Sequence, residues 1–306
     1  MHRYRAYGLA LHSEIPLPEL SPGSSDQPDI TIRIGAVSRE PAPTDPATFA
    51  YYASPDEVCF HWEIVGAFQV RAGREIIVQP VAGVEDALLR LPLLGSVFGV
   101  CLHQRGLLVL HASAIDIHGS ASIFLGTKGQ GKSTTAATLY GRGHPLLADD
   151  IVALDMAQPE RPCVLPGFPQ LKLFDDAAAS SLGDDPAQLP RLASVIEKRA
   201  RRAPDGFPTE PLPPNALYVL ADGPALAIDR LSPQDAICEL LGSTIAGRFG
   251  RALLDGIDAV THFQRCVNLL RCAPLYRLSR PRDLALLGGV ADAVERQART
   301  PAAARP

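Results

Sequence analysis

The chain opens on alternation. In "DITIRIGAV" (29–37) apolar and polar residues take turns, the period of a half-buried strand. "EVCFHWEIVGAFQVRAGREIIVQPV" (57–81) reads as three short strands broken at Gly66 and Gly73, and the proline-rich "SREPAPTDPATFA" joins the two regions. Residues 1 to 82 are therefore expected to form a small β-rich, antiparallel module. From Val84 to Gln104 the period lengthens to that of a helix, with Leu88, Leu91, Val97 and Leu102 among its apolar positions. Pro92 starts this helix late or kinks it.

Two further β-like runs follow, "GLLVLHASAIDIHG" and "ASIFLG", joined by the turn residues His118-Gly119-Ser120. "KSTTAATLYGRG" predicts a helix closed by Gly141 and Gly143, and "HPLLADDIVALD" a strand. Residues 183 to 215, rich in Pro, Arg and Asp, are expected to include a mobile loop. "NALYVLADG" and "PLYRLSR" read as strands in an otherwise helical C-terminal third. The pattern is α/β: a module at 1–82, a domain at 83–298, and a tail at 299–306 expected to be disordered.

Composition narrows the class. The 306 residues are 46% hydrophobic and 20% charged, enough for a packed core. A net charge of −4 gives no reason to expect nucleic acid as a partner. Six scattered cysteines without a CxxC pair read as reduced thiols. The N-terminus lacks the apolar core of a signal peptide. The longest apolar stretch, Leu91 to Leu102, falls short of the ~20 residues that span a bilayer. The expectation is a soluble cytoplasmic protein with no membrane partner.

Chemistry concentrates between residues 111 and 150. Gly126-Thr127-Lys128-Gly129-Gln130-Gly131-Lys132-Ser133 fits G-x-x-x-x-G-K-[ST] at every fixed position, after the apolar run "SIFL" and before a helix. Glycines there let backbone N–H groups approach phosphates, and the helix start adds its dipole. Lys132 is placed for β- and γ-phosphates, Ser133 for Mg²⁺, and Thr134 follows them. The loop implies ATP or GTP with Mg²⁺. Asp149 and Asp150 close the next apolar run; adjacent carboxylates can divide metal binding from proton abstraction. His111, in "LVLHASAID", lies just upstream of the loop strand and is a further candidate. Lys172 in "QLKLF", the basic run Lys198-Arg199-Ala200-Arg201-Arg202, and Arg248 and Arg251 in "GRFGR" are additional cations for a phosphate site.

In order and spacing, "LHASAIDIHGSASIFLGTKGQGKSTTAATLYGRGHPLLADD" resembles the HPr serine kinase/phosphorylase family over about forty residues. The resemblance implies an HPr-kinase-like P-loop core with a mixed sheet and a kinase acting on a serine-containing peptide or protein. It implies Lys132 and Ser133 as phosphate and Mg²⁺ residues, Asp149 as the base, Asp150 as a metal or structural partner, and His111 as a catalytic-site residue. It also implies a homo-oligomer. Two departures stand out: Thr134 where the bifunctional enzymes have glutamate, and "LPGFPQ" without their metal-binding acid. Both argue against phosphorylase activity. The wording "PLYRLSRPRD" and the β-rich N-terminus are closer to a branch associated with lasso-peptide tailoring, whose members phosphorylate a serine of a precursor peptide. A non-catalytic, nucleotide-binding scaffold is the alternative from another class.

Overall fold

A computed structural model of the chain describes residues 1–42, 49–54, 56–254 and 259–299. Its first eighty residues supply strands β1 (His2–Ala6), β2 (Leu9–Ser13), β3 (Ser21–Pro22), β4 (Ile30–Ile34), β5 (Phe49–Ala53), β6 (Glu57–Trp62), β7 (Gly66–Arg71) and β8 (Glu75–Pro80). They form one sheet in the order β3-β1-β2-β4-β8-β7-β6-β5. The breaks at Gly66 and Gly73 fall where glycine punctuation puts them. The sheet is mixed, however, and not antiparallel as expected: β4 runs parallel to both β2 and β8. Alternation reports which face of a strand is buried and says nothing of the direction of its neighbour.

The apolar stretch becomes a bent helical run: α1 (Asp86–Pro92), a wide turn at Leu93–Val97, and α2 (Phe98–Gln104). The bend sits at Gly95, whose φ of −102° and ψ of −111° leave the helical region, three residues past Pro92. The run, 86–104, falls within the Val84–Gln104 span expected from the sequence. By length and composition it is one helix, among the described residues, able to cross a membrane. Its residues are spent inside the protein: Leu93, Val97, Phe98 and Leu102 are fully buried. They share one hydrophobic cluster with Tyr7, Phe60 and Phe68 of the first sheet and with Ile151, Phe168 and Phe249 from much later in the chain.

α2 also buries His103, whose Nε2 lies 3.3 Å from the Leu253 carbonyl. Burial pushes this imidazole down to about 4 from 6.5, with His262 and Arg265 acting the same way and the carbonyl contact opposing them. A folded-state value below the unfolded one means the unfolded chain binds the proton first. His103 therefore contributes stability that is complete above pH 6.5 and lost as pH falls toward 4, about 3 kcal/mol in all. Melting curves at pH 7.5 and 4.5 should show a smaller acid loss in His103→Leu than in the parent chain. Equal losses would remove His103 as a cause.

The rest of the chain adds β9 (Leu108–Leu110), β10 (Ser113–Ile117), β11 (Ser120–Leu125), α3 (Lys132–Gly141), β12 (Leu146–Ala148), β13 (Val152–Asp155), β14 (Cys163–Leu165), β15 (Gln170–Leu173), α4 (Asp175–Leu182), β16 (Arg191–Ala193), β17 (Ile196–Arg202), β18 (Pro214–Asp222) and β19 (Ala227–Arg230). Helices α5 (Pro233–Ser243), α6 (Ile245–Phe249), α7 (Arg251–Leu254) and α8 (Ala259–Cys272) follow, then β20 (Leu275–Arg280) and α9 (Leu287–Arg299). A central six-stranded sheet, β12-β10-β11-β18-β20-β19, carries β11, β18 and β20 in parallel. On one face α3, α4 and α9 bury Ala136, Leu139, Ala178 and Val290 against Phe124 and Tyr218. On the other, α5 and α8 bury Leu240 and Leu269 against Leu125 and Leu217. The fold is α/β with a mixed sheet.

Three expectations need correction. The runs around His111 and around Asp149-Asp150 are not single strands. Each crosses from a three-stranded sheet, β14-β13-β9, to the central sheet and breaks on the way. Residues 183–215 are more ordered than expected: they hold β16 and β17, which pair with each other, and β17 pairs with β15, in a second three-stranded sheet. "ALAIDR" supplies a strand, β19, not read from the sequence. Helix α9 extends through Arg299, and the tail at 300–306 lies outside the described residues.

Candidate active site

The phosphate loop joins β11 to α3, as its motif requires. Gly126, Gly129 and Gly131 have φ of +144°, +88° and +81°, values a side chain disfavours. A Cβ on Gly126 would also come within 2.7 Å of Gln130 Oε1, and one on Gly131 within 2.6 Å of an Arg280 nitrogen. The loop is held from two sides. Gln130 Oε1 accepts from the Thr127 N–H at 3.1 Å, and Arg280, at the end of β20, donates to the Gln130 carbonyl at 2.7 Å. Lys132 is only 8% exposed, and its ammonium donates to the carbonyls of Gly126 (2.7 Å) and Thr127 (3.2 Å). Burial lowers its pKa, opposed by Asp150 and Asp149. Lys128 is exposed and Thr134 half-buried; with Ser133 both line the same cleft.

The paired strands explain the rest. β9 pairs with β13 and β10 with β12, so both chains step between sheets side by side. The residues in the two steps are His111 and Asp149-Asp150. Asp150 takes a φ of +76°, a left-handed conformation that Asp tolerates better than most residues. The steps bring together side chains that lie 38 and 39 positions apart in sequence.

The two carboxylates have different environments. Asp149 is 3% exposed. Its Oδ1 accepts from Ser113 Oγ (2.6 Å) and Ser133 Oγ (2.8 Å), and its Oδ2 from the Lys172 N–H (3.0 Å). Asp150 keeps 29% of its side chain exposed. Its Oδ2 accepts from Lys172 Nζ at 2.7 Å, and its Oδ1 lies 3.2 Å from His111 Nδ1. That nitrogen also faces the Asp150 carbonyl at 3.0 Å. Two acceptors on one ring nitrogen require a proton on Nδ1. Burial opposes the charge on Asp150, but Lys172 and His111 outweigh it and hold the carboxyl well below its usual range. Lys172 is raised in turn: Asp150 overcomes the effect of burial. Both carboxylates line the cleft; Asp149 is nearly buried with both oxygens accepting hydrogen bonds, and Asp150 is the more exposed of the two.

The cationic run is divided by its strand. Arg199 is paired with Asp175, Arg201 with Asp184, and Arg202 donates to the carbonyls of Pro18 and Glu19. Among these residues only Lys198 lines the cleft, with its ammonium 5.0 Å from the Phe174 ring centre. Arg248 lines it too, while the side chain of Arg251 lies outside the described residues. The cleft has a volume of about 1370 Å³, above the usual range for a single small ligand. No cluster of three or more His, Cys, Asp or Glu side chains suited to a metal occurs among the described residues. Ser133 Oγ and Asp149 Oδ1 do fit Mg²⁺, which takes one or two protein oxygens and fills its octahedron with phosphate oxygens and water. Arg280 and Ser113 were missed in the sequence, where nothing marks a lone arginine or serine on a strand as facing a loop 150 or 36 residues away.

The N-terminal sheet reaches this site from below. Tyr7, fully buried at the β1–β2 turn, donates to the Ile151 carbonyl at 2.9 Å, and its own N–H bonds the Pro166 carbonyl at 2.8 Å. Tyr7→Phe should cost about 1–3 kcal/mol, the usual penalty for stranding a buried acceptor. Turnover should fall more than nucleotide affinity, because Ile151 adjoins Asp150. A variant that is less stable but turns over normally while folded would make Tyr7 a purely structural residue.

No family model matches the chain. Over 47 residues it is 43% identical to proteins named HPr kinase/phosphorylase from Caldanaerobacter subterraneus subsp. tengcongensis, Thermoanaerobacter sp. and Thermoanaerobacter pseudethanolicus. That match spans 15% of this chain and 15% of each relative. Among solved structures, the Hpr(Ser) kinase/phosphatase from Coxiella burnetii aligns with 61% of this chain and 94% of its own, at 13% identity and a TM-score of 0.31. Over the 47-residue stretch the chain is HPr-kinase-like.

Proposed function

We propose that this protein is a kinase that transfers the terminal phosphoryl group of ATP or GTP to a serine hydroxyl of a peptide or protein. The observation that carries this reading is the pairing of Ser133 with Asp149 at 2.8 Å while Asp150, held by His111 and Lys172, faces the same cleft. Metal and nucleophile sites then stand side by side on adjacent residues.

In this reading Ser133 and Asp149 hold Mg²⁺, which neutralises charge on the β- and γ-phosphates. The N–H groups of the loop and Lys132 bind those phosphates. Asp150 accepts the hydrogen bond of the incoming serine and collects its proton. A strongly ionised carboxylate suits that task, since the transition state is loose and orientation matters more than basicity. His111 and Lys172 fix the carboxylate in place. The roles of the two aspartates are thus the reverse of those the sequence suggested. "LPGFPQ" still supplies no acid near the metal, which favours a one-way kinase. The acceptor we favour is a precursor peptide of the lasso type; a cytoplasmic location and a homo-oligomeric state belong to the same reading. The purified chain with Mg²⁺, ATP and a serine-bearing peptide should yield a peptide heavier by one phosphate. Nucleotide hydrolysis with no acceptor phosphorylated would favour the scaffold reading.

A further inference from the structure

The cleft extends well past the phosphate loop, and its far arm has a distinct chemistry. Its floor is α1, where half-buried Leu88, Leu91 and Pro92 face open space. One bank is the β6–β7 turn, with Trp62 and Ile64; the other is the β16–β17 turn, with Val195. The Ser194 N–H donates to Glu85 at the start of α1 (2.9 Å), which ties that second bank to the floor. Ile64 is 66% and Val195 65% exposed. The arm ends at Asp150: a Cβ on Gly95 would lie 3.5 Å from Asp150 Oδ2, so the bend in the helix brings bare backbone up to the proposed base.

From this we infer that the acceptor lies along α1 as an extended peptide carrying a large apolar side chain within one or two positions of the phosphorylated serine. The inference rests on the kinase reading and names its substrate class. Continuity of the arm with the reacting carboxylate identifies the occupant as the acceptor. Lys198 and Arg248 act on Lys132, Lys172 is paired with Asp150, and Glu63 on the bank of the arm disfavours an acidic flank. Burial of one aliphatic or aromatic side chain there should raise kcat/KM by about tenfold to a hundredfold over glycine.

The test is a library of peptides of the form X-X-Ser-X-X, incubated with the full chain, Mg²⁺ and ATP, with the phosphorylated fraction sequenced. Enrichment of Leu, Ile, Phe or Trp beside serine is expected. Ile64→Asp and Val195→Asp change exposed positions and should fold normally; each should raise KM for a leucine-flanked peptide at least tenfold, leave nucleotide affinity intact, and shift preference toward lysine-flanked peptides. Phosphorylation with no apolar preference, or with an acidic one, overturns the inference and leaves the kinase reading standing. Phosphorylation of no peptide while ATP still binds, including a result in which only free alcohols or lipids accept phosphate, overturns the peptide class. Loss of ATP binding altogether strikes the kinase reading itself.

Discussion

Lys132→Ala should lower turnover by at least about a hundredfold, the scale for removing one preorganised electrostatic stabiliser. The lysine is the only side-chain cation inside the loop motif besides the exposed Lys128. Its ammonium is nearly buried against two loop carbonyls, where a charge is costly unless strong partners surround it. Burial already draws its pKa down, so part of the folding free energy is committed to keeping this cation where phosphates would bind. Its removal should weaken nucleotide affinity and slow transfer, because charge on the bridging oxygen grows as the bond breaks. Lys132→Arg should not restore function, since a planar fork cannot replace a compact ammonium in this space. Single-turnover measurements with saturating ATP separate binding from chemistry. Near-normal phosphorylation by the alanine variant would end the kinase reading.

The second large effect distinguishes the aspartates. Asp150→Asn keeps shape but replaces an acceptor oxygen by a donor, so the serine hydroxyl loses its partner and Lys172 is left facing an amide. Transfer should fall by about a hundredfold to ten-thousandfold, the range for a positioned acid–base group, while Mg²⁺–ATP affinity stays close to normal. Asp149→Asn should do the opposite in one respect: the dependence on Mg²⁺ concentration should shift upward, because Ser133 then shares its site with an uncharged amide. The pH profile adds a check. Asp150 is held well below the usual carboxylate range, so no loss of rate from its protonation is expected at any mildly acidic pH where the protein stays folded. If Asp149→Asn abolishes transfer at saturating Mg²⁺ and Asp150→Asn does not, the roles read from the sequence are restored.

Much of this was legible along the chain, for local reasons. A phosphate loop is a contiguous motif with obligatory glycines, and the structure gives each of the three a positive φ. Hairpins and helix ends are likewise local, as at His118-Gly119 and Gly141. What stayed hidden depends on partners far away in sequence. "HPLLADDIVALD" looks like one strand because both halves are buried, yet Ala148 pairs with Ala114 in one sheet and Val152 with Leu110 in another. The basic run looked available for phosphate until Asp175 and Asp184 took two of its arginines. Asp149 and Asp150 are chemically identical in sequence; Ser113, Ser133, Lys172 and His111 tell them apart. Strand gives way to helix between Pro80 and Asp86, and the core formed by Phe60, Phe98 and Ile151 runs across that point.

The bond from Tyr7 to Ile151 closes a loop of 144 residues, and the same cluster gathers side chains from Ala6 to Leu253. Contacts of such long range are entropically expensive to close and tend to form late. The N-terminal strands cannot bury their apolar residues in this cluster until α2 and the segment after Asp150 are in place. Catalytic competence should therefore be the last property the chain gains on refolding. It should also be the first lost when the N-terminal edge opens locally, at a denaturant concentration where the central sheet and its phosphate loop remain intact.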